Sequence, residues 1–330
     1  ATPADTTLSI TVNGTAIGAD GLSQVIGLTE GADTIITVVA AKDTVSKTYT
    51  LTISRALAAT FAEQAFLSAT NTEASDEFGY SVALSGDTLA VGAFHEDSNT
   101  PGVNRTANED AINSGAVYIF VRSTGNWEQQ AYIKASNPGA NDEFGISVAL
   151  SGDTLAVGAH LEDSSTTGIN TTSDEAADAA GAVYIFTRTG TEWSEQAYIK
   201  ASNASGGDLF GTSVSLSGET LAVGAHIEGS ASGAVYVFTR NETIWSEQDY
   251  IKASNADTGD RFGFSVALFG DTLAIGAPEE NSGTISGDDN GTANAGAAYV
   301  FVRSDGIWSE QAYLKAASTN AFDSFGFSVA

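Results

Sequence analysis

A six-residue block, Asp-x-Phe-Gly-x-Ser, occurs five times in this chain, at Asp76–Ser81, Asp142–Ser147, Asp208–Ser213, Asp260–Ser265 and Asp323–Ser328. Its Phe residues (78, 144, 210, 262 and 325) are 66, 66, 52 and 63 residues apart. A period of that size marks a supersecondary unit that buries its apolar face only against its neighbours. Each step holds the same four segments in the same order. In the first, Gly79–Leu84 (A) and Thr88–Gly92 (B) are short apolar runs joined through Ser85-Gly86-Asp87, and a Gly-Asp pair between such runs signals a hairpin. A variable loop follows, then Gly115–Phe120 (C). The polar turn Ser123-Thr124-Gly125-Asn126 leads into Trp127–Ala135 (D), whose fourth residue is always Gln: 130, 196, 248 and 311. Four short antiparallel strands per unit, with loop length as the main variable, form the pattern of a propeller blade. No segment sustains a 3.6-residue apolar period, so helix is minor.

The expected fold is therefore all-β: a β-propeller of four-stranded antiparallel blades near 78–136, 144–202, 210–254 and 262–317, with a fifth begun at 325. The run Phe61–Leu67 repeats the D pattern ahead of the first blade. It reads as a closing strand, which would remove an exposed sheet edge. The chain stops inside the fifth A segment, so it reads as a window on a longer one. Residues 1–57 stand apart. Leu8–Val12, Thr34–Val39 and Thr48–Ile53 alternate like strands, with a turn signal at Asn13-Gly14. They read as part of a β-sandwich, with Ala58–Thr60 as linker.

Composition narrows the function. Hydrophobic residues make up 42% of the 330, enough for a globular core, and no apolar run is long enough to span a membrane. Cysteine is absent, which removes disulfides and thiolate chemistry. With 41 carboxylates against 13 Lys and Arg, the net charge is −28, and a field of that sign repels nucleic acid. The first residues lack the charged and apolar regions of a signal peptide. Methionine is absent too, so the sequence reads as starting downstream of the original N-terminus.

Phe-Gly in segment A and Gly-Ala at the end of segment B (Gly92-Ala93, Gly158-Ala159, Gly224-Ala225 and Gly276-Ala277-Pro278) resemble FG-GAP repeats over residues 61–330. That family includes the integrin α-subunit propeller and many bacterial surface propellers. The resemblance implies seven blades in the full protein and a location outside the cell or on its surface. Residues 1–57 resemble the C-terminal half of a bacterial cadherin-like module, notably Ile10–Thr15 and Lys47–Arg55. Integrin-type calcium sites use an Asp-rich loop between A and B. Here that position is a tight turn (Ser85–Asp87, Ser151–Asp153, Ser217–Glu219, Phe269–Asp271), so those sites do not carry over.

Strand alternation places the D–A connectors and B–C loops at one end of every blade. The loops hold 14 carboxylates and the connectors nine, so 23 of the 41 gather there, opposed only by Arg105 and Arg261. Two carboxylates recur in register: Asp76, Asp142, Asp208 and Asp260 in the connectors, and Glu96, Glu162, Glu228 and Glu280 in the loops. One reading makes each pair a metal site, with calcium the candidate cofactor because hard cations want several oxygen ligands. The other makes Asp a turn cap and Glu a loop anchor, and recurrence regardless of loop length favours it. Asp288-Asp289-Asn290-Gly291 is the nearest calcium-like cluster and completes no motif. The histidines 95, 160 and 226 open three B–C loops, but blade 4 has Pro278 there, which argues against a shared metal.

Trp127, Trp193, Trp245 and Trp308 open the D segments and read as packing between blades rather than as sugar platforms. Arg122, Arg188, Arg240 and Arg303 are in register, as are Lys134, Lys200, Lys252 and Lys315. They read as solvated or paired across strands. No Gly-x-Ser-x-Gly, His-Glu-x-x-His or phosphate loop occurs, so no catalytic residue is assigned and the chain does not read as an enzyme. The leading expectation is a structural and adhesive module of a large bacterial surface protein, binding a protein or glycan through its acidic loop face. A polysaccharide-acting domain and a self-associating filament subunit are the alternatives.

Overall fold

The computed structural model describes residues 9–13, 15–16, 33–42, 44–54, 63–71, 73–284 and 290–330. The expected linker Ala58–Thr60 and the pair Asp288-Asp289 lie outside them. The chain divides into two compact units, Ala1–Gln64 and Ala65–Ala330.

In the first unit, β1 (Ser9–Val12), β2 (Thr15–Ala16), β3 (Asp33–Lys42) and β4 (Val45–Ser54) form one antiparallel sheet in the order β2-β1-β3-β4. Val12 pairs with Thr15, which leaves Asn13 to open a two-residue turn with φ of 49°. Asn tolerates that left-handed backbone. Its Oδ1 accepts the Thr37 N–H at 2.8 Å while its own N–H donates to the Thr37 carbonyl at 2.8 Å, tying the turn to β3.

In the second unit each predicted blade is a four-stranded antiparallel sheet. Blade 1 holds β5 (Val82–Ser85), β6 (Thr88–Ala93), β7 (Ala116–Ser123) and β8 (Asn126–Ile133). Blade 2 holds β9 (Ser147–Ser151), β10 (Thr154–Ala159), β11 (Ala182–Thr189) and β12 (Glu192–Ile199). Blade 3 holds β13 (Ser213–Ser217), β14 (Thr220–Ala225), β15 (Ala234–Asn241) and β16 (Ile244–Ile251), with a four-residue helical turn α1 (Glu228–Ala231) in its short loop. Blade 4 holds β17 (Ser265–Phe269), β18 (Thr272–Ala277), β19 (Ala297–Ser304) and β20 (Ile307–Leu314). The first strands β5, β9, β13 and β17 lie beside one another in that order.

Two expectations shift. Segment A begins its ladder later than Gly79, because the Phe-Gly pair serves the seam between blades. The Phe144 N–H donates to the Ser114 carbonyl of blade 1 at 3.1 Å, and Phe210 and Phe262 repeat the bond to Ala180 and Ser232. The other correction concerns Phe61–Leu67. Its described part, residues 63–67, is not a strand, since each of the four blades already fills its fourth position with its own β8, β12, β16 or β20. Just beyond it, the Thr70 N–H reaches Gln129 Oε1 at 3.2 Å.

The seam explains the repeated letters. The Gly145 N–H donates to the Gly158 carbonyl at 2.9 Å within blade 2, and the Gly145 carbonyl accepts the Ser81 hydroxyl of blade 1 at 2.7 Å. The next seam repeats this, with the Ser147 hydroxyl on the Gly211 carbonyl at 2.7 Å. Close approach at this point demands glycine in the Gly-Ala pair: a Cβ on Gly158 would stand 2.1 Å from the Gly211 oxygen. The Phe rings then fill the space between sheets. Phe144 meets Tyr184 edge-on at 5.3 Å and Phe186 at 6.1 Å, and all three are buried.

Gly158→Ala should therefore destabilise the chain by about 1–3 kcal/mol or more, because backbone on the neighbouring blade has to move. Ser147→Ala, which removes one hydrogen bond and adds no bulk, should cost about 1 kcal/mol. Urea unfolding of the two variants checks the order, and an alanine tolerated at 158 would contradict the seam.

Candidate functional site

The eight recurring carboxylates sit beneath the loops and not on their surface: all are buried, from 0% exposed at Glu162 to 8% at Asp208 and Glu228. Each Asp closes a turn in its connector. Asp142 Oδ2 accepts the Gly139 N–H at 2.7 Å, Asp76 takes Glu73, Asp208 takes Ser205 and Asp260 takes Asp257. Burial drives their pKa values up, to about 7 for Asp142 and about 6 for Asp260, and the turn N–H pulls the other way.

Each Glu anchors the root of its B–C loop. Glu162 accepts from Lys200 Nζ at 2.7 Å, from the Tyr198 hydroxyl at 2.7 Å, from Asn137 Nδ2 at 3.0 Å and from the Ser164 N–H at 3.2 Å. Asn137 Oδ1 in turn accepts the Tyr184 hydroxyl at 2.7 Å. The same set recurs around Glu96 with Lys134, Tyr132 and Asn71. Around Glu228 it is Lys252, Tyr250 and Asn203, and around Glu280 it is Lys315 and Asn255. A buried carboxylate is tolerable only when paired and hydrogen-bonded, and this set supplies both. Burial holds Lys134 and Lys200 below the usual ammonium range, although the adjacent Glu pulls them up.

The lysines are therefore paired rather than solvated. Asn71, Asn137, Asn203 and Asn255, with two bonded tyrosines in each of blades 1 to 3 and Tyr299 in blade 4, are members that the sequence reading passed over. Their signal was available, since they recur in register like the acids, but Asn and Tyr carry no charge to draw attention.

At the opposite end of the blades, Arg188 Nε pairs with Asp153 at 2.7 Å and its guanidinium lies 5.2 Å from the centre of the Trp193 ring. The Trp193 N–H donates to Gln130 of blade 1 at 3.0 Å. Arg240 with Trp245 and Gln196, and Arg303 with Trp308 and Gln248, repeat the arrangement. The recurring Gln is thus the partner of the next blade's Trp, and these tryptophans bind blade to blade.

The histidines do not form one site. His160 Nε2 lies 2.9 Å from Glu143 and His95 Nε2 lies 3.7 Å from the same carboxylate, so two of them meet across blades 1 and 2. His226 is buried, and burial with the nearby Arg261 cation lowers its pKa to about 4. Among the described residues no group of three or more His, Asp and Glu side chains is arranged to hold a metal ion.

Removing one partner of an anchor should be costly. Lys200→Met leaves Glu162 buried and unpaired, an effect of roughly 3–5 kcal/mol, and adding Glu162→Gln should recover much of it. Chemical unfolding of the single and double variants reads the difference. Asp260 gives a pH signature. Its folded pKa of about 6 exceeds the ordinary 3.8, so the folded state holds the proton more tightly and the ionised carboxyl weakens the fold as pH rises through that window. Asp260→Asn should therefore gain melting temperature over the unaltered chain between about pH 4 and 6. A constant offset across that range would contradict the assignment.

The FG-GAP repeat matches residues 61–120, 127–186, 193–238 and 245–301, together more than half of the chain, and the cadherin-like beta sandwich domain matches residues 1–56. Each repeat match opens on a D-type segment, so the family unit includes the strand that reaches back to the preceding blade. No curated protein matches the chain in sequence. Among solved structures, TolB from Acinetobacter baumannii is similar at 11% identity and a TM-score of 0.38, over 84% of this chain and 48% of that one. The N-terminal domain of Nup159 is similar at 12% identity and a TM-score of 0.32, over 70% of this chain and 57% of that one. The chain thus spans about half the length of these structures. Four matched repeats and four blades built on the same Phe-Gly and Gly-Ala contacts place this chain in the FG-GAP repeat family.

Proposed function

We propose that this chain is a non-catalytic structural and adhesive module of an extracellular or cell-surface protein, which binds a protein or glycan partner through its B–C loops. The observation that carries this reading is the repeated anchor. The same Glu–Lys–Asn–Tyr set fixes every described loop root, while the crowns differ, from 94–114 and 160–180 to the short 226–232. Variable crowns on an invariant rigid base are a common arrangement for recognition. The pairing of an FG-GAP repeat region with a cadherin-like sandwich supports an adhesion-type or structural setting. No helix among the described residues is long and apolar enough to cross a membrane.

We read Asp76, Asp142, Asp208 and Asp260 as turn caps, and Glu96, Glu162, Glu228 and Glu280 as loop anchors, rather than as calcium ligands. Lysine ammonium groups stand where a cation would have to compete, which supports that reading. The remaining acidic residues of the crowns keep the face negative and favour partners that are neutral or basic.

The test is to replace residues 94–114 and 160–180 with the sequence of 226–232, which retains the anchoring Glu. Beads coated with either chain are then passed over arrays of glycans and matrix glycoproteins. The intact chain should be retained, and the trimmed one should fold with a similar melting temperature but wash off. Equal retention of both would overturn the reading. Release of reducing sugar from a polysaccharide by the intact chain would replace it with an enzymatic one.

A further inference from the structure

The long loops of blades 1 and 2 share an element that the anchor does not require. Gly102-Val103-Asn104 and Gly168-Ile169-Asn170 each lie against the last strand of their own blade, with Val103 bridging Ile133 and Ile169 bridging Ile199. Both Asn residues adopt left-handed backbone, with φ of 52° and 56°. Each donates its N–H to a tyrosine carbonyl at 2.7 Å, Tyr132 for Asn104 and Tyr198 for Asn170. Each Oδ1 also accepts that tyrosine's N–H, at 2.9 Å and 3.0 Å. The amide oxygen is committed, so the orientation of the side chain is fixed and its NH2 group is turned outward as a donor.

Two hollows of about 320 Å³ and 450 Å³ adjoin at the seam of blades 1 and 2, and both are lined by Ser136 and Glu195. Asn170 with Thr171 and Thr172 lines the first, and Asn104 with Arg105 lines the second. Between them the Glu195 carboxylate, held by the Ser136 hydroxyl at 2.9 Å, offers an acceptor. The cleft thus carries an oriented amide donor toward each end, hydroxyls along one wall and a carboxylate in the middle. The floor recurs at the next seam, where the Ser202 hydroxyl meets Glu247 at 2.9 Å. The blade 3 wall does not, because the short loop 226–232 has no Gly-Ile-Asn element.

We infer that this cleft is a binding subsite for a neutral glycan chain. Donors and acceptors along both hollows match the hydroxyls of a sugar ring, and the apolar surface beside Val103 and Trp193 suits its C–H face. An anionic ligand meets the field of a chain of net charge −28, and the one cation in the cleft, Arg105, shares its wall with Glu192 and Glu195. The inference rests on the adhesive reading above and gives it a ligand class and a place.

The test uses Asn104→Asp and Asn170→Asp, separately and together. Aspartate keeps the oxygen that the tyrosine N–H needs and tolerates left-handed backbone, so the loops should stay in place, but it replaces the outward donor with an acceptor. Calorimetric titration of the intact chain with cellotetraose, chitotetraose, maltotetraose and mannotetraose should give saturable binding of at least one. The double variant should bind that sugar at least tenfold more weakly, with its melting temperature unchanged. Failure of all four to bind, or binding indifferent to both substitutions, overturns the subsite. Preferential binding of an oligolysine peptide would replace the glycan with a basic polypeptide. The trimmed-loop experiment distinguishes the two levels: if loop trimming abolishes retention while the tetrasaccharides do not bind, the subsite fails and the adhesive reading stands.

Discussion

The contact on which the rest of the structure depends is the approach of the Gly-Ala end of one blade's second strand to the next blade's Phe-Gly turn. At Gly158 there is no room for a side chain, because the Gly211 carbonyl occupies the place a Cβ would take. That proximity lets the Ser147 hydroxyl and the Phe210 N–H bond across the seam, and it aims the Phe210 ring at Tyr236 and Phe238. Polar satisfaction and apolar burial therefore come from the same backbone geometry. A blade that lost the contact would lose hydrogen bonds and core packing together.

With the sheets fixed to one another, each blade presents two ends that do different work. At one end Arg, Trp and the preceding blade's Gln form a belt that ties neighbours together. At the other, Glu, Lys, Asn and two Tyr close off the interior beneath the loops. The Asn of that set comes from the connector leading into the blade, so Asn137 links that connector to the Glu162 loop root. The buried charge does not reach the surface. The acidic character of the loop face belongs to the crown residues, and it is there that a partner would meet the protein.

Much of this was legible in the sequence. The five Asp-x-Phe-Gly-x-Ser blocks specify the blade, its order and its neighbours, since a contact that forbids a side chain has to recur as glycine. The Trp positions read as contacts between blades because aromatic side chains at fixed places fill cores, whereas the partner of each recurring Gln shows only in the structure. The recurring acids were harder. Asp76 and Glu96 with their equivalents look alike to a count of charge, whether they bind a cation or a lysine. For Lys134 the sequence leaves two readings open, solvated or paired across strands, because its partner lies 38 residues away in sequence. The Asn104 and Asn170 elements were missed because they occur in only two loops and their role depends on a bridge to the last strand. In the segment expected as a strand at Phe61–Leu67, the described residues 63–67 carry the D-type sequence but join none of the four blade sheets, whose fourth positions are filled by β8, β12, β16 and β20.

A rigid seam holds the variable crowns in place, and amide hydrogen exchange tests that most directly. The N–H groups of Phe210 and Gly211, bonded to the Ala180 and Gly224 carbonyls, should exchange only as slowly as the propeller unit opens as a whole. The amides of Thr172 and Ser173 in the blade 2 crown should exchange orders of magnitude faster. Seam amides exchanging as quickly as those of the crown would mean that blades separate one at a time, and the seam would then not be what holds the loops in place.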